Sequence, residues 1–492
     1  MTQRPSAPAL VRSVCDVAAR LAAGTPCAAT VTTIRSRLDG PLRVAIAGRV
    51  KAGKSTLLNA LVGERLAPTD AGECTRVVTA YREAVGYEVR AHRTDGTIED
   101  LRFERQRGAL RIDLNGRSAD DIDWIEVGWP SSALRATTLV DTPGLGSINT
   151  GASRRTEEFF ETENDPRNAD AVIYLMRHLH RGDVDFLETF GDHSLADPSP
   201  INAMAVLSRA DEIGAARLDA LSSAARIAAR YRSLDELRRT CATVVPVAGL
   251  LAETGLTLQE DEVASLRTLA ALEQAELDEL LLSADRFRAA GVSPVAPEVR
   301  ADLLGRLGMF GVRYSVDALR SERVASASDL ARELVTASGL PDLRRLLTEH
   351  FARRAELLKA RSALRALRVV AHELASYDAE HSEQLEAEVE RVEAASHEFA
   401  HLRLLHLVLS DQVSLSETEI AEVNAIIGAG SAVERLTRTP AAEPSTPATV
   451  ALGAVDRWRR KGAHPRADVA TREACETVAR TYEALYVELT SS

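Results

Sequence analysis

An apolar, β-type run, Leu42-Arg-Val-Ala-Ile-Ala47, leads without a spacer into Gly48-Arg-Val-Lys-Ala-Gly-Lys-Ser55, and that into a helical run, Thr56-Leu-Leu-Asn-Ala-Leu-Val62. The order strand, Gly-x4-Gly-Lys-Ser, helix restricts the fold more than any other feature of the 492-residue chain. Its glycines let successive backbone N–H groups curl round phosphate oxygens, and the start of the following helix adds partial positive charge. In such a loop Lys54 reaches the β- and γ-phosphates, and the Ser55 hydroxyl is an Mg2+ ligand. The candidate phosphate contacts are Gly48, Arg49, Val50, Lys51, Ala52, Gly53, Lys54, Ser55 and Thr56. Composition sharpens the point. Of the 60 basic residues only four are lysine: Lys51, Lys54, Lys359 and Lys461. Where charge alone is needed the chain uses Arg, so two lysines in one loop mark a place that requires an ammonium.

Four further short apolar runs, at 138–140, 171–175, 203–207 and 244–247, each lead into polar or Gly-rich residues and then helical periodicity. Strands alternating with helices predict a mostly parallel sheet with helices on both faces. Between 76 and 130 the turn signals Asp95-Gly96 and Asn115-Gly116 predict antiparallel additions at one sheet edge. Beyond Gly249 the pattern becomes helical, and residues 342–427 contain neither Gly nor Pro. A helix of 65 such residues would span on the order of 100 Å. A break is expected at 410–416, where Ser414 with Glu417, or Ser416 with Glu419, has the spacing of a capping box. Residues 437–449 read as a loop, 471–489 as a final amphipathic helix, and 9–22 as an N-terminal helix that packs on it. The expected architecture is an α/β P-loop domain joined to an elongated all-α bundle, a stalk. Its expected divisions are an N-terminal helix (1–38), the α/β domain with a helical extension (39–340), and the stalk (341–492) with its far end near 405–440.

Asp141-Thr-Pro-Gly144 follows the second buried run. A carboxylate there holds the Mg2+ shell through water, and the Gly144 N–H senses the γ-phosphate. Thr75, in Gly72-Glu-Cys-Thr75, is the candidate hydroxyl that completes the metal shell; the alternative is a Thr that simply starts the next strand. After the fourth run, Ser208-Arg-Ala-Asp211 places a carboxylate to accept two hydrogen bonds from guanine, a pattern adenine lacks. Arg209 is a candidate for stacking over the base. Ala248, within Pro246-Val-Ala-Gly249, is a candidate backbone donor to the guanine oxygen.

These four elements in this order, followed by long helices, resemble the dynamin superfamily of large GTPases, and within it the bacterial dynamin-like proteins. The resemblance is architectural over nearly the whole chain and motif-specific only in the first part. It implies a GTPase that turns GTP into GDP and phosphate with Mg2+ (a monovalent cation is a further candidate), acting through pairing of its heads. The catalytic set it implies is Lys51, Lys54, Thr75, Asp141 and Gly144, with Ser55, Thr75 and Asp141 around the metal. One departure stands out. Where dynamins carry Gln then Ser, this loop has Val50 and Lys51. In the guanylate-binding large GTPases the Lys51 position carries an Arg that swings onto the phosphates, so Lys51 is the candidate replacement; Arg49 is the rival, and a solvated loop cation the third reading.

The resemblance also implies membrane work. Leu402-Arg-Leu-Leu-His-Leu-Val-Leu409, with Leu407 and Leu409, reads as a lipid-touching tip or as core. Arg457-Trp-Arg-Arg-Lys461 (Arg457, Trp458, Arg459, Arg460, Lys461) reads as an anionic-lipid contact or as a solvated helix face. The chain carries 72 acidic against 60 basic residues, net −12, which disfavours a nucleic-acid partner. Five scattered cysteines fit a reducing cytosol better than a disulfide framework. No apolar run approaches the roughly 18 residues of a membrane span. The expectation is a cytoplasmic protein, peripheral to the inner face of the plasma membrane. Its partners would be guanine nucleotide, anionic lipids, and a second copy or a paralogous dynamin-like protein. The alternative is a soluble GTP-dependent scaffold or regulator that works with such a paralogue and does not remodel membrane.

Overall fold

The computed structural model describes residues 6–67, 77–106, 109–143, 169–190, 200–289, 293–395, 397–410, 412–428, 430–439 and 446–491. Eleven strands lie within its first half: β1 (Leu42–Gly48), β2 (Val78–Glu83), β3 (Glu88–Arg93), β4 (Ile98–Asp100), β5 (Arg102–Gln106), β6 (Ala109–Asp113), β7 (Ile122–Trp129), β8 (Thr137–Asp141), β9 (Ala171–Met176), β10 (Ala203–Ser208) and β11 (Val244–Val247). Nine of them form one sheet in the order β11-β10-β9-β1-β8-β2-β7-β3-β4, and β5 with β6 forms a separate hairpin. The block from β11 to β8 is parallel throughout. Beyond it β2 runs antiparallel to β8 and parallel to β7, and β3 and β4 add antiparallel pairs. The parallel core with an antiparallel edge is the expected arrangement.

Side chains on a strand alternate between faces, and here each face owns a core. Val44 and Ile46 of β1, with Ile173 and Leu175 of β9, enter one cluster; Ala45 and Ala47, with Val172 and Tyr174, enter the other. Burial on both faces explains why these strands read as continuous apolar runs rather than alternating ones. The first face carries the helix Lys54–Val62 and continues without interruption into residues of the second half such as Leu340, Phe351, Leu402 and Leu405.

The second half is helical, but its Gly/Pro-free stretch is not one long helix. Among the described residues its longest helix is Ala355–Leu374, 20 residues or about 30 Å. A π turn (Leu347–Phe351) precedes it, and Asp378 accepts a hydrogen bond from the His381 amide at 3.0 Å where the next helix, Ala379–Ala395, begins. Helix capping by a side chain breaks a run as well as Gly or Pro does. The expected break after Ser410 is present, and of the two capping boxes it is Ser416 with Glu419 that forms.

Two further expectations are corrected. The N-terminal helix, Ala7–Leu21, shares its core with Cys27–Asp39, Ala355–Leu374 and Ala379–Ala395, whereas the last helix, Val469–Ser491, packs on Pro447–Gly462. The region around 405 is not a far end. Helix His397–Leu409 packs on the turn Pro200–Asn202 of the α/β domain, and Leu402, Leu404 and Leu405 are fully buried. Lys359 links the halves: its buried ammonium donates to the carbonyls of Leu38 (2.8 Å) and Gly40 (2.9 Å), just ahead of β1.

Candidate functional site

The phosphate loop sits at the C-terminal end of β1. Gly48 has φ 140°, and any Cβ there would collide with the carbonyl oxygen of Leu175 on neighbouring β9. Gly53, φ 97°, turns the chain into helix Lys54–Val62. Between them Lys51 is left-handed at φ 63° and exposed, an uncommon conformation for a residue with a side chain. The Lys54 ammonium folds back over the loop onto the carbonyls of Gly48 (3.2 Å) and Arg49 (3.4 Å). Burial holds its pKa below the usual lysine range, and the Asp141 carboxylate partly offsets this.

The ends of β1 and β8 bring the two phosphate-side motifs together. The Ser55 hydroxyl donates to Asp141 Oδ2 at 3.1 Å. The other oxygen, Oδ1, is buried and has no hydrogen-bond partner among the described residues. Burial pushes Asp141 up to about 6, against the pull of Lys54 and Ser55. Two hard oxygen ligands side by side, one with an idle buried acceptor, fit Mg2+. Thr142 closes the junction, its hydroxyl donating to the Ile46 carbonyl at 3.0 Å. Thr75 and Gly144 lie outside the described residues.

On the base side Asp211 is 4% exposed, and burial raises it to about 6. Helix Pro297–Arg320 is broken beside it at Gly308 (φ 64°, ψ 176°), where a Cβ would sit 3.6 Å from Asp211 Oδ2. Three neighbours differ from expectation. Ser208 is buried, its hydroxyl donating to the Met176 carbonyl at 3.2 Å. Arg209 is ion-paired with Glu212 instead of standing free to stack. The Ala248 N–H already donates to the Ser338 carbonyl at 2.9 Å, so it is not an open donor for guanine.

The lipid-contact expectation is corrected on packing for Trp458 and Leu407. Trp458 is 1% exposed, and its indole N–H donates to Glu422 Oε1 at 3.0 Å. Arg457 pairs with the same carboxylate, Arg459 with Glu483, and Lys461 with Glu419 at 2.7 Å. Arg460 Nε donates to the Asp456 carbonyl at 3.2 Å. Leu407 is 8% exposed, and Leu409 packs against the main core. The indole is inside the core and not presented to a membrane, while Arg457, Arg459 and Arg460 stay exposed at the surface.

Two site residues escaped the motif reading. Asn59 is 1% exposed; its side chain accepts from the Leu66 and Ala67 amides (2.8 and 2.7 Å) and donates to the Ala67 carbonyl (3.2 Å), holding the chain just before the segment that carries Thr75. A polar residue inside the apolar run 57–62 was its signal. Asp183, fully buried, holds Arg49 at 3.0 Å, and no local pattern marks it.

A sequence model of the dynamin family matches residues 44–189, the stretch from β1 through the helix after β9. Isoniazid-induced protein IniC of Mycobacterium tuberculosis is 40% identical over 464 residues, covering 93% of this chain and 92% of that protein. The chain belongs to the bacterial dynamin-like proteins. A bacterial dynamin-like protein of Nostoc punctiforme is 32% identical over 150 residues, 28% of this chain and 21% of its own. Isoniazid-induced protein IniA of Mycobacterium tuberculosis is 33% identical over 130 residues, 24% of this chain and 19% of its own. A solved chain from an oligomerised bacterial dynamin pair, described as sensing and tethering membranes over long range, aligns over 99% of this chain and 76% of its own. Its TM-score is 0.30 and its sequence identity 15%. The α/β half of this dynamin-like protein is thus a dynamin-family GTPase domain, a guanine-nucleotide domain, and the second half is helical. No helix among the described residues is long and apolar enough to cross a membrane.

Proposed function

We propose that this dynamin-like protein binds GTP with Mg2+ at residues 48–55 and hydrolyses it to GDP and phosphate. Helix Pro297–Arg320, which passes beside Asp211, is the first helical element to feel the nucleotide state. The observation that carries this is the meeting of Ser55 with Asp141 at 3.1 Å, with Asp141 Oδ1 left idle beside the phosphate loop. Ser55 and Asp141, the latter through water, would hold the metal, with Thr75 completing the set. When bound, Mg2+ neutralises charge on the β- and γ-phosphates.

The protein's own groups do the rest. Backbone N–H groups of 48–55 take the phosphate oxygens, and Lys54 exchanges its two carbonyl partners for them. Lys51, exposed at the loop apex, supplies the cation that neutralises charge developing in the transition state, in place of the absent Gln. Gly144 senses the γ-phosphate. Asp211 accepts from guanine, and the break of helix Pro297–Arg320 at Gly308 lies beside that carboxylate.

Lys54→Ala should abolish GTP binding, and Lys51→Ala should keep binding while lowering kcat by about tenfold or more. Calorimetry and single-turnover rates decide. Equal affinity of the wild type for ATP and GTP would remove the guanine reading, and an unchanged kcat in Lys51→Ala would return that residue to a solvated cation.

The family reading includes pairing of heads, with a second copy or a paralogous partner, and coupling to a membrane from the cytoplasmic side. A second reading, a soluble GTP-dependent scaffold, is favoured by the burial of Trp458 and Leu407 and by the pairing of Arg457, Arg459 and Lys461. Co-sedimentation with anionic liposomes, with and without a nonhydrolysable GTP analogue, separates the two. Nucleotide-dependent pelleting supports the membrane reading, and its absence supports the scaffold.

A further inference from the structure

The loop after β9 places a charged group against the phosphate loop that the proposed chemistry does not use. Asp183 is fully buried at the start of helix Arg181–Phe190. Its Oδ1 accepts from Arg49 Nε at 3.0 Å and from the Tyr174 hydroxyl at 2.7 Å, and its Oδ2 accepts from the His180 amide at 2.9 Å. A carboxylate taken out of water needs a counter-charge, and removing one partner of a buried pair is costly. Arg49 is the cation within ion-pair reach among the described residues. The surroundings are shaped for it. Tyr174 reaches Asp183 from β9, whose Leu175 pairs in register with Gly48. Gly182 leaves space for the guanidinium, since a Cβ there would lie 3.2 Å from Arg49 Nη2.

Arg49 is not an indifferent surface cation. It follows Gly48 directly in the phosphate loop, and its carbonyl is one of the two perches of the Lys54 ammonium. A guanidinium is a planar fork that grips phosphate oxygens two at a time, more firmly than an ammonium. Left free at this position, it would bind the phosphates of product and substrate alike. Such uniform binding lowers KM without lowering the barrier and slows release.

We propose that Asp183 is a positioning residue that withholds Arg49 from the nucleotide phosphates, leaving Lys54 and Lys51 as the cations that address them. The pair is a latch inside the phosphate loop, set by a carboxylate on the neighbouring strand's loop. It rests on the GTPase reading of residues 48–55.

The test is GDP and GTP affinity by calorimetry, with steady-state turnover, on the full chain. Asp183→Asn keeps the shape and removes the charge. It should tighten GDP and GTP binding about tenfold, with KM and kcat falling together. The double variant Asp183→Asn/Arg49→Gln should return GDP affinity toward the wild-type value, because the freed cation is gone. Tyr174→Phe removes one bond to Asp183 with little change in packing, and should tighten GDP binding two- to threefold, by about 0.5 kcal/mol. It carries the test if Asp183→Asn does not fold. A purely structural role predicts lower melting temperatures with unchanged or weaker GDP binding and no recovery in the double variant; that result overturns the latch. A wild type that binds no GDP overturns the nucleotide site itself, and the latch with it.

Discussion

Ser55 and Asp141, 86 positions apart, share a hydrogen bond of 3.1 Å because β1 and β8 run parallel and adjacent, with Ile46 opposite Asp141. Both motifs leave the sheet at its C-terminal edge, the side on which open α/β sheets bind their ligands. One hydrogen bond joins the pair, and the second oxygen of Asp141 has no partner among the described residues. Asp141→Asn should therefore abolish Mg2+-dependent GTP turnover while changing the stability of the nucleotide-free protein little, because relief of the buried carboxylate is set against the loss of the charge that offsets the burial of Lys54. The buried charge is removed and the contact to Ser55 is kept. A large drop in melting temperature without nucleotide would contradict this account.

Asp211 titrates where it can be tested. Burial raises it from 3.8 to about 6. Between those values the folded protein keeps a proton that the unfolded chain has released, so this group's contribution to stability falls as pH rises toward 6 and is level above it. Guanine recognition runs the other way, since only the ionised carboxylate accepts both guanine N–H groups. GTP affinity should rise from pH 5 to about 6.5 and then plateau. Asp211→Asn should shift preference toward xanthine nucleotides. Affinity that is flat across that range, or an Asn variant that still prefers guanine, would exclude Asp211 as the base reader.

Gly308 brings helix Pro297–Arg320 beside the base-reading carboxylate. Its φ of 64° with ψ of 176° is a conformation that side chains rarely adopt, in the middle of a 24-residue helix. Gly308→Ala should cost about 1–3 kcal/mol in strain. It should also weaken GTP binding more than it weakens binding of inorganic triphosphate, because relieving that strain shifts the helix break that lies beside Asp211. Equal losses for both ligands would confine Gly308 to folding.

Trp458 should behave as a core residue. Trp458→Ala should destabilise the protein by about 3–5 kcal/mol, because Glu422 also loses its indole partner while Tyr482 remains bonded to it. Replacing Arg457, Arg459 and Lys461 together with Glu should lower the melting temperature by breaking three ion pairs. Full stability in Trp458→Ala would contradict its burial and return the indole as a candidate membrane contact, whereas full stability in the Glu variant would mean only that these exposed ion pairs contribute little.

What the linear chain determined was local. A strand buried on both faces must be a continuous apolar run, and a loop that wraps phosphate must carry glycines and a lysine at set spacings, so residues 42–62, the Asp141 motif and the parallel core could be read directly. The Ser416 box was legible for the same reason: caps act over three residues. Tertiary structure decided whatever depended on a partner far along the chain. No spacing shows that Asp183 will meet Arg49, that Ser338 will occupy the Ala248 amide, or that the cations of 457–461 will face Glu419, Glu422 and Glu483. The stretch 342–427 makes the same point. Absence of Gly and Pro permits a long helix but does not require one, because side-chain caps end helices cheaply. Folding the pieces back also buries more apolar surface than extending them would.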